Sequence, residues 1–244
     1  MPDIDEAARS LAKIGATGAP QRNKQPEIIE SKVLIIVENK AYLESIQQLL
    51  GICGIDIQDV NFRCSKAIKS VDREEDLLRE LRTNIKSSNL YSHILCIADG
   101  DDNPKEQFGA ICKALTEEQY EANNLAFGLN GTIISAKDKP SIGIWVMPNN
   151  KDKGTFADFY LTSALLDNKL IQNIENVLEQ NKRDKLIKFK NTYTGAAKYF
   201  TYLAWQRNPA SLDEGMFSKE KFNPKNRLFV TFKEWINSVL NYEQ

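Results

Sequence analysis

Acidic residues follow two apolar runs of the sequence. Residues 33–37 are followed by Glu38, and residues 94–98 are followed by Asp99 and Asp101. Each run predicts a buried strand, and in an open α/β sheet ligands bind in the crevice beyond the carboxyl ends of the parallel strands. We therefore expect the three carboxylates to meet at one edge of a sheet.

A divalent cation would make such a meeting favourable. Without one, Glu38, Asp99 and Asp101 would repel one another, and at least one of them would be driven towards protonation. Mg²⁺ prefers oxygen ligands and is commonly held by one or two carboxylates together with substrate phosphates. The sequence therefore predicts a Mg²⁺ or Mn²⁺ site at these three residues.

Four further residues are candidates for lining this site, and three of them have a plainer explanation. Asp102 is either a third ligand or an acidic residue at a helix start, where negative charge suits the helix dipole, and we favour the helix start. Asp158 lines the site or occupies the first turn of another helix. Asn149 orients a phosphate or a water, or is an ordinary turn residue. Lys198 offers a phosphate contact.

A run of basic residues around position 185 also offers phosphate contacts, although a solvated helix face explains it equally well. The formal net charge of the chain is −1, so any nucleic-acid contact has to be local. The run consists of Lys182, Arg183, Lys185, Lys188 and Lys190, and a local track would add Lys137, Lys139, Lys151, Lys153 and Lys198.

Alternating apolar patterns predict an α/β fold in which a mostly parallel sheet is flanked by helices and followed by a helical C-terminal layer. Residues 1–31 read as an N-terminal arm and linker, and 32–244 as one unit, although a second domain after residue 150 is an alternative. The expected strands are 33–37, 55–62, 93–98, 131–135 and 142–147, and the expected helices are 41–50, 73–85, 104–115, 155–166, 168–190, 194–206 and 228–241.

Several classes of function are disfavoured by composition. No apolar run is long enough to span a membrane and the N-terminus lacks a secretory signal, so we expect a cytoplasmic protein without membrane contact. His93, the sole histidine, stands at the opposite end of its strand from Asp99, which argues against histidine-based catalysis. The cysteines have no C-x-x-C spacing and are expected to be buried thiols; they are Cys53, Cys64, Cys96 and Cys112.

Aromatic residues in the second half of the chain occupy apolar periodic positions. We therefore expect them to belong to the core rather than to form platforms on which bases stack. They are Trp145, Trp205, Trp235, Phe156, Phe159, Phe200 and Phe232.

The residues at the two strand ends resemble a known fold. Val37 and Glu38, the following helix, and the later strand ending in Asp99, Gly100 and Asp101 resemble the Toprim fold shared by topoisomerases, primases and OLD-family nucleases.

Segments later in the chain resemble a narrower family. Residues 144–150 and 154–159 look like a Toprim-like, OLD-nuclease-related family of uncharacterised prokaryotic proteins, whose signature reads approximately Trp-x-Met-Pro-Asp-Asn and then Gly-x-x-Glu-Asp-Phe. Residues 197–206 and 232–236 are similar to the closing helices of that family. The resemblance covers about 33–241.

The resemblance implies a Mg²⁺-dependent nuclease that cleaves phosphodiesters of DNA or RNA. Asp99 and Asp101 would hold the ion, and Glu38 would be a ligand or a proton-transfer group. OLD-type Toprim domains are typically fused to or paired with an ABC-type ATPase, often in antiviral defence against phage. Because the sequence contains no Walker A motif, we expect a separate ATPase partner, and the oligomeric state is left open.

Departures from the family pattern support an alternative. Asn39 replaces a glycine of the family, and Tyr42, Asn149 and Ala157 replace acidic residues. These changes favour a degenerate Toprim domain that binds or regulates without catalysis. A third, less favoured interpretation is nucleotide transfer or small phosphoester hydrolysis at the same crevice.

Overall fold

The computed structural model describes residues 33–38, 42–55, 60–64, 73–87, 90–206 and 222–241. The predicted N-terminal arm, Asn39 and most of the polar stretch after residue 206 lie outside the described residues. The elements and contacts of the protein are those of the described residues.

Five strands form one sheet in the order β2-β1-β3-β5-β4. Strands β2, β1, β3 and β5 are parallel, whereas β4 is antiparallel to β5. Only residues 135–140 join β4 to β5, and a parallel connection needs a dozen residues or more. The strands are β1 (Val33–Val37), β2 (Val60–Cys64), β3 (His93–Asp99), β4 (Thr132–Ile134) and β5 (Ser141–Met147).

Seven α-helices accompany this sheet in the described part of the chain, and the predicted α/β fold with a helical C-terminal layer is confirmed. Asn103 caps the third helix, with Pro104 in its first turn, as helix starts allow. The helices are α1 (Leu43–Cys53), α2 (Arg73–Lys86), α3 (Pro104–Glu117), α4 (Phe156–Ser163), α5 (Asn168–Arg183), α6 (Thr194–Ala204) and α7 (Arg227–Leu240).

Side chains of successive strand residues point to opposite faces, which creates two apolar layers. On β1, Leu34 and Ile36 pack with α2 and α3, whereas Ile35 and Val37 pack with α1, α4, α6 and α7. The C-terminal helices therefore cover one face of the same sheet that carries the acidic strand ends.

A glycine lets α7 approach the sheet closely. A Cβ atom at Gly143 on β5 would lie 2.5 Å from Cγ2 of Val239 and 3.1 Å from Trp235. Trp235 in turn lies beside Trp145, with ring centroids 5.4 Å apart. Any larger residue at position 143 would push the helix away from this aromatic core.

Five of the seven aromatic residues expected in the core are buried: Trp145, Trp235, Phe156, Phe159 and Phe232. The expectation is wrong for Phe200 and Trp205, whose exposed fractions are 44% and 45%. Phe200 follows the buried Tyr199 on α6, and one step along a helix turns a side chain by roughly 100°. Trp205 lies just beyond the last residue of the same helix.

The predicted buried thiols are confirmed for the three cysteines whose side chains are described, all of which are free. Burial raises the pKa of Cys53 to about 12 and that of Cys112 to about 11, so both are unreactive thiols at neutral pH. Among the described residues, no helix is long and apolar enough to cross a membrane.

Helix α5 ends at Arg183, seven residues before the predicted end at 190. Asp184 follows it, and Lys185 has a left-handed φ of 56°, which an α-helix cannot accommodate. Most of the basic run therefore lies in the connection between α5 and α6 and not on a helix face.

Candidate functional site

The carboxylate of Glu38 lies against the end of β3. Its Oε2 accepts hydrogen bonds from the backbone N–H of Asp99, at 2.9 Å, and from Nε2 of Gln107, at 3.2 Å. The backbone N–H of Glu38 donates to the carbonyl of Ile97 at 3.2 Å, so the pairing of β1 with β3 continues one residue past β1. Glu38 is only 6% exposed. The structure thus joins the two predicted acidic strand ends directly.

Asp99 is the second buried carboxylate, at 7% exposure. Its Oδ1 accepts a hydrogen bond of 3.1 Å from the backbone N–H of Phe156, the first residue of α4. The positive end of a helix dipole stabilises a carboxylate in this position. Asp99 therefore connects the end of β3 to the start of α4.

Tyr42 stands beside this pair, at the position where the resemblance places a family acid. It is buried, and its ring lies 5.3 Å from that of Phe156 and 6.1 Å from that of Tyr199. Burial raises the pKa of Tyr42 above its usual range, and the negative charge of Asp99 raises it further, so the phenol stays neutral. The nearby side chain of Thr155 partly opposes this rise in the pKa of Tyr42.

Two loops are tied together beyond the strand ends. The carbonyl of Gly154 accepts hydrogen bonds from the N–H groups of Gly100 and Asp101, both at 2.9 Å, and the N–H of Gly154 donates to the carbonyl of Asp101 at 2.9 Å. Asp101 adopts a left-handed φ of 40°. The β3–α3 loop, which carries Asp101 and Asp102, is therefore fixed against the β5–α4 loop.

Asp158 belongs to a capping box at the start of α4. Its Oδ2 accepts a hydrogen bond from the N–H of Thr155 at 2.8 Å, while the Thr155 hydroxyl accepts one from the N–H of Ala157. The carboxylate is wedged between two glycines: a Cβ atom at Gly195 would lie 2.0 Å from Oδ1, and one at Gly154 would lie 2.7 Å from Oδ2. Burial raises the pKa of Asp158, and the hydrogen bonds with Thr155 partly oppose that rise.

An open pocket of about 490 Å³ lies beside these groups, and we call it the acidic pocket. Three acids and two lysines share its wall with polar residues at the start of α6. Its charged lining residues are Asp101, Asp102, Asp158, Lys153 and Lys198. The buried Glu38 and Asp99 are not part of the lining.

The other predicted residues fall in different places. Asp102 precedes the cap residue Asn103 and accepts a 2.7 Å hydrogen bond from the hydroxyl of Thr192. Lys198 lines the acidic pocket while its Nζ forms an ion pair of 2.7 Å with Glu175.

Asn149 does not line the acidic pocket. Its Oδ1 accepts hydrogen bonds from the N–H groups of Lys151 and Asp152, which is the ordinary turn role. It lines a second pocket of about 340 Å³. The neighbouring Asn150 is buried and accepts a hydrogen bond from the N–H of Val146, so it supports the end of β5.

A family model described as "Protein of unknown function (DUF3226)" matches residues 32–241. The chain belongs to this family. No curated protein and no solved structure matches the chain. The resemblance of this DUF3226 member to Toprim and OLD-type nucleases stays a prediction.

The three predicted carboxylates do not form a shared site for a divalent cation. Among the described residues, no group of three or more His, Cys, Asp and Glu side chains is arranged to hold a metal ion. Glu38 meets the backbone of Asp99, and Asp101 faces the acidic pocket, so the three carboxylates do not surround one point. A pair of carboxylates completed by water and phosphate is nevertheless a usual environment for Mg²⁺, and the acidic pocket offers such oxygen donors.

Sequence reasoning overlooked Gln107, Thr155 and Gly195. Gln107 lies on the buried face of α3, one turn before Ile111, and a polar residue on an apolar stripe is a detectable signal. Thr155 and Asp158 have the Thr-x-x-acid spacing of a capping box, which is also visible in the sequence. The contact of Gly195 with Asp158 joins residues far apart in the chain, and no local sequence pattern predicts it.

Proposed function

We propose that this protein is a Mg²⁺- or Mn²⁺-dependent hydrolase of DNA or RNA phosphodiesters that acts at the acidic pocket. The observation that carries the proposal is the lining of this pocket, where Asp101, Asp102 and Asp158 face Lys153 and Lys198. Carboxylates suit a hard cation, and lysines suit the phosphate that such a cation bridges. The resemblance to Toprim nucleases points to the same chemistry.

In this proposal Asp101 and Asp102, which both line the acidic pocket, would hold the ion. Asp99, a ligand that the resemblance implies, would act from behind them, because its Oδ1 accepts the hydrogen bond from the N–H of Phe156. A bound Mg²⁺ or Mn²⁺ would polarise a phosphoryl oxygen and lower the pKa of water. Lys153 and Lys198 position the phosphate by charge. Glu38 is a positioning residue, because it is buried and accepts hydrogen bonds from the Asp99 backbone and from Gln107.

Asp158 is the proposed proton donor. Its pKa is raised by burial, so a larger fraction of this carboxyl is protonated near neutral pH than of an exposed aspartate. Water adds to phosphorus, the bond from phosphorus to the leaving oxygen breaks, and Asp158 gives that oxygen its proton. The proton of the attacking water passes to solvent, from which Asp158 is protonated again.

Cleavage of plasmid DNA, single-stranded DNA and RNA in Mg²⁺ or Mn²⁺ tests the proposal. Asp101→Asn and Asp158→Asn should each lower the rate at least about 100-fold, whereas Glu121→Gln, on an exposed loop, should leave it unchanged. Thermal melting verifies that each variant folds. Absence of metal-dependent cleavage of all three substrates by the folded wild type would contradict the proposal.

The second candidate is a degenerate Toprim-like module that binds or regulates without catalysis. It is favoured by the hydrogen bonds that engage Glu38 and Asp99 and by the buried Tyr42 at the position of a family acid. Calorimetric titration with Mg²⁺ and Mn²⁺ separates the candidates. If the protein is the hydrolase, it should bind the ion, and Asp101→Asn should remove that binding. If it is the binding or regulatory module, titration should show no ion binding that depends on Asp101.

We also propose a separate ABC-type ATPase as partner, in antiviral defence in the cytoplasm. The support is the resemblance to OLD-type systems and the absence of a Walker A motif from these residues. Accordingly, the purified chain should not hydrolyse ATP. An intrinsic ATPase activity that co-purifies with the chain through several columns would argue against this proposal.

A further inference from the structure

Residues 182–193, which we call the basic segment, comprise the last two residues of α5 and the connection to α6, and they contain five cationic side chains and one acidic side chain. Nearly all of these residues are exposed. The chain as a whole carries a formal net charge of −1, so this concentration of positive charge is local. It is the densest cluster of basic residues in the described part of the chain.

The lysines of the basic segment are not neutralised by acidic side chains of the described residues. Lys182, Lys185, Lys188 and Lys190 form no ion pair with any acid in the described part of the chain. The one acidic residue, Asp184, accepts a hydrogen bond from Gln180 at the end of α5. The lysines are therefore available to an anionic partner.

Two exposed aromatic rings accompany these lysines: Phe189 lies between Lys188 and Lys190, and Tyr193 lies three residues after Lys190. Phe189 is 37% exposed and Tyr193 is 40% exposed. Neither ring contacts another aromatic ring among the residues that the structure describes. Exposed rings between cations are the elements on which single-stranded nucleic acids bind, since bases stack on the rings while phosphates meet the cations.

The basic segment leads into the acidic pocket. Asn191 and Thr192 line that pocket, and the hydroxyl of Thr192 donates to Asp102 at 2.7 Å. Thr162 lines both the acidic pocket and the second pocket, where Lys151 and Arg227 add positive charge. The acidic pocket thus adjoins the basic segment at Asn191 and Thr192 and a second group of cations at Thr162, as a polymer that extends beyond the pocket would need.

We propose that the basic segment binds single-stranded nucleic acid and guides it across the acidic pocket. The inference rests on the proposed function and deepens it by naming the substrate class. Duplexes are disfavoured because their bases are stacked on each other and cannot stack on Phe189 and Tyr193. An anionic membrane is disfavoured because Asp101, Asp102 and Asp158 would face it.

Fluorescence anisotropy of labelled oligo(dT) and oligo(U), about 20 nucleotides long, tests the binding in EDTA, where no cleavage occurs. Lys185→Glu/Lys188→Glu should weaken binding at least tenfold and make the salt dependence shallower, with a slope lower by about 1.4. Lys105→Glu/Lys113→Glu, with the same charge change on α3 across the sheet, is the matched control and should bind like wild type.

The rings are tested separately. Phe189→Ala/Tyr193→Ala should weaken binding of both oligonucleotides about tenfold or more, and Phe189→Leu, which keeps the apolar contact but removes the ring, should also weaken it. Thermal melting shows whether each variant is folded. A duplex of the same length should bind more weakly than either single strand.

Three results would overturn the inference. In the first, duplex and single strand bind equally well and the ring variants have no effect. In the second, the Lys105/Lys113 control loses as much affinity as the Lys185/Lys188 variant. In the third, the protein binds phosphatidylserine vesicles through its lysines but does not bind oligonucleotides. Binding in EDTA without cleavage in Mg²⁺ or Mn²⁺ would instead uphold the basic segment and contradict the proposed hydrolase. Preference between oligo(dT) and oligo(U) separates DNA from RNA.

Discussion

The backbone N–H of Asp99 donates a 2.9 Å hydrogen bond to Oε2 of Glu38. The same oxygen accepts a bond from Gln107 on α3, so one buried carboxylate links β1, β3 and α3 just where the parallel strands end. Removing an acceptor from such a place leaves buried donors unsatisfied, which is more costly than the net value of the hydrogen bonds themselves.

Substitution of Glu38 separates a positioning role from a catalytic one. Glu38→Ala should lower the free energy of unfolding by about 1–3 kcal/mol, because two donors lose their partner. Glu38→Gln keeps an acceptor oxygen for both donors and should retain most of the stability and most of the metal-dependent cleavage. Urea unfolding and cleavage rates measure the two effects. A folded Glu38→Gln protein without activity would show that the negative charge takes part in the chemistry.

Gly195→Ala should destabilise the protein by about 1–3 kcal/mol, although alanine favours helices. The added Cβ would lie 2.0 Å from Oδ1 of Asp158 and would force that carboxylate out of its capping box with Thr155. Gly109→Ala on α3 is the control, because nothing lies within 4 Å of its Cβ position and helix propensity should raise stability by up to about 1 kcal/mol. Equal melting shifts for the two variants would contradict the close contact.

The raised pKa of Asp158 predicts a pH dependence of stability. A carboxyl whose pKa is higher in the folded state than its ordinary 3.8 binds its proton more tightly when folded. The free energy of unfolding of the wild type, relative to Asp158→Asn, should therefore fall as pH rises from about 4 and level off above the raised pKa. Urea denaturation at several pH values measures the difference. A difference that grows with pH would mean that the carboxylate is stabilised in its charged form.

The buried pair of Ser45 and Tyr199 links α1 to α6 by hydroxyl groups 3.0 Å apart. Tyr199→Phe and Ser45→Ala should each cost about 1–2 kcal/mol of unfolding free energy, because each leaves a buried hydroxyl without its partner. The double variant should cost less than the sum of the two, by about 0.5–1.5 kcal/mol. Strict additivity in chemical denaturation would indicate that both hydroxyls find other partners.

Much of the site's framework was predictable from local patterns. Apolar runs identified β1 and β3, and with them the neighbourhood of Glu38 and Asp99, since parallel strands bring their carboxyl ends to the same edge of a sheet. The start of α3 at Pro104 followed from helix-start chemistry. The end of α5 at Arg183 did not, because the apolar and charged residues that follow it fit a helical period equally well.

Roles of individual acids were less predictable. Asp101 faces the acidic pocket, whereas Asp99, two residues earlier, turns inward to the N–H of Phe156. Alternation along a strand would place residues 99 and 101 on the same face. The strand ends at Asp99, however, and Asp101 has a left-handed φ of 40°, while the partner at Phe156 comes from the start of the distant α4. The direction of β4 was also not predicted. It runs antiparallel to β5 because the connection between the two strands is too short for a parallel crossover.

By itself, the sequence determined the α/β layering, the two acidic strand ends and the basic run, because these depend on residue types within a few positions of one another. Only the tertiary structure decided that Glu38 and Asp99 are buried and bonded to backbone amides, while Asp101, Asp102 and Asp158 open into a pocket with Lys198. The physical reason is that burial and hydrogen-bond partners of a carboxylate are set by the elements packed around it, which come from far along the chain.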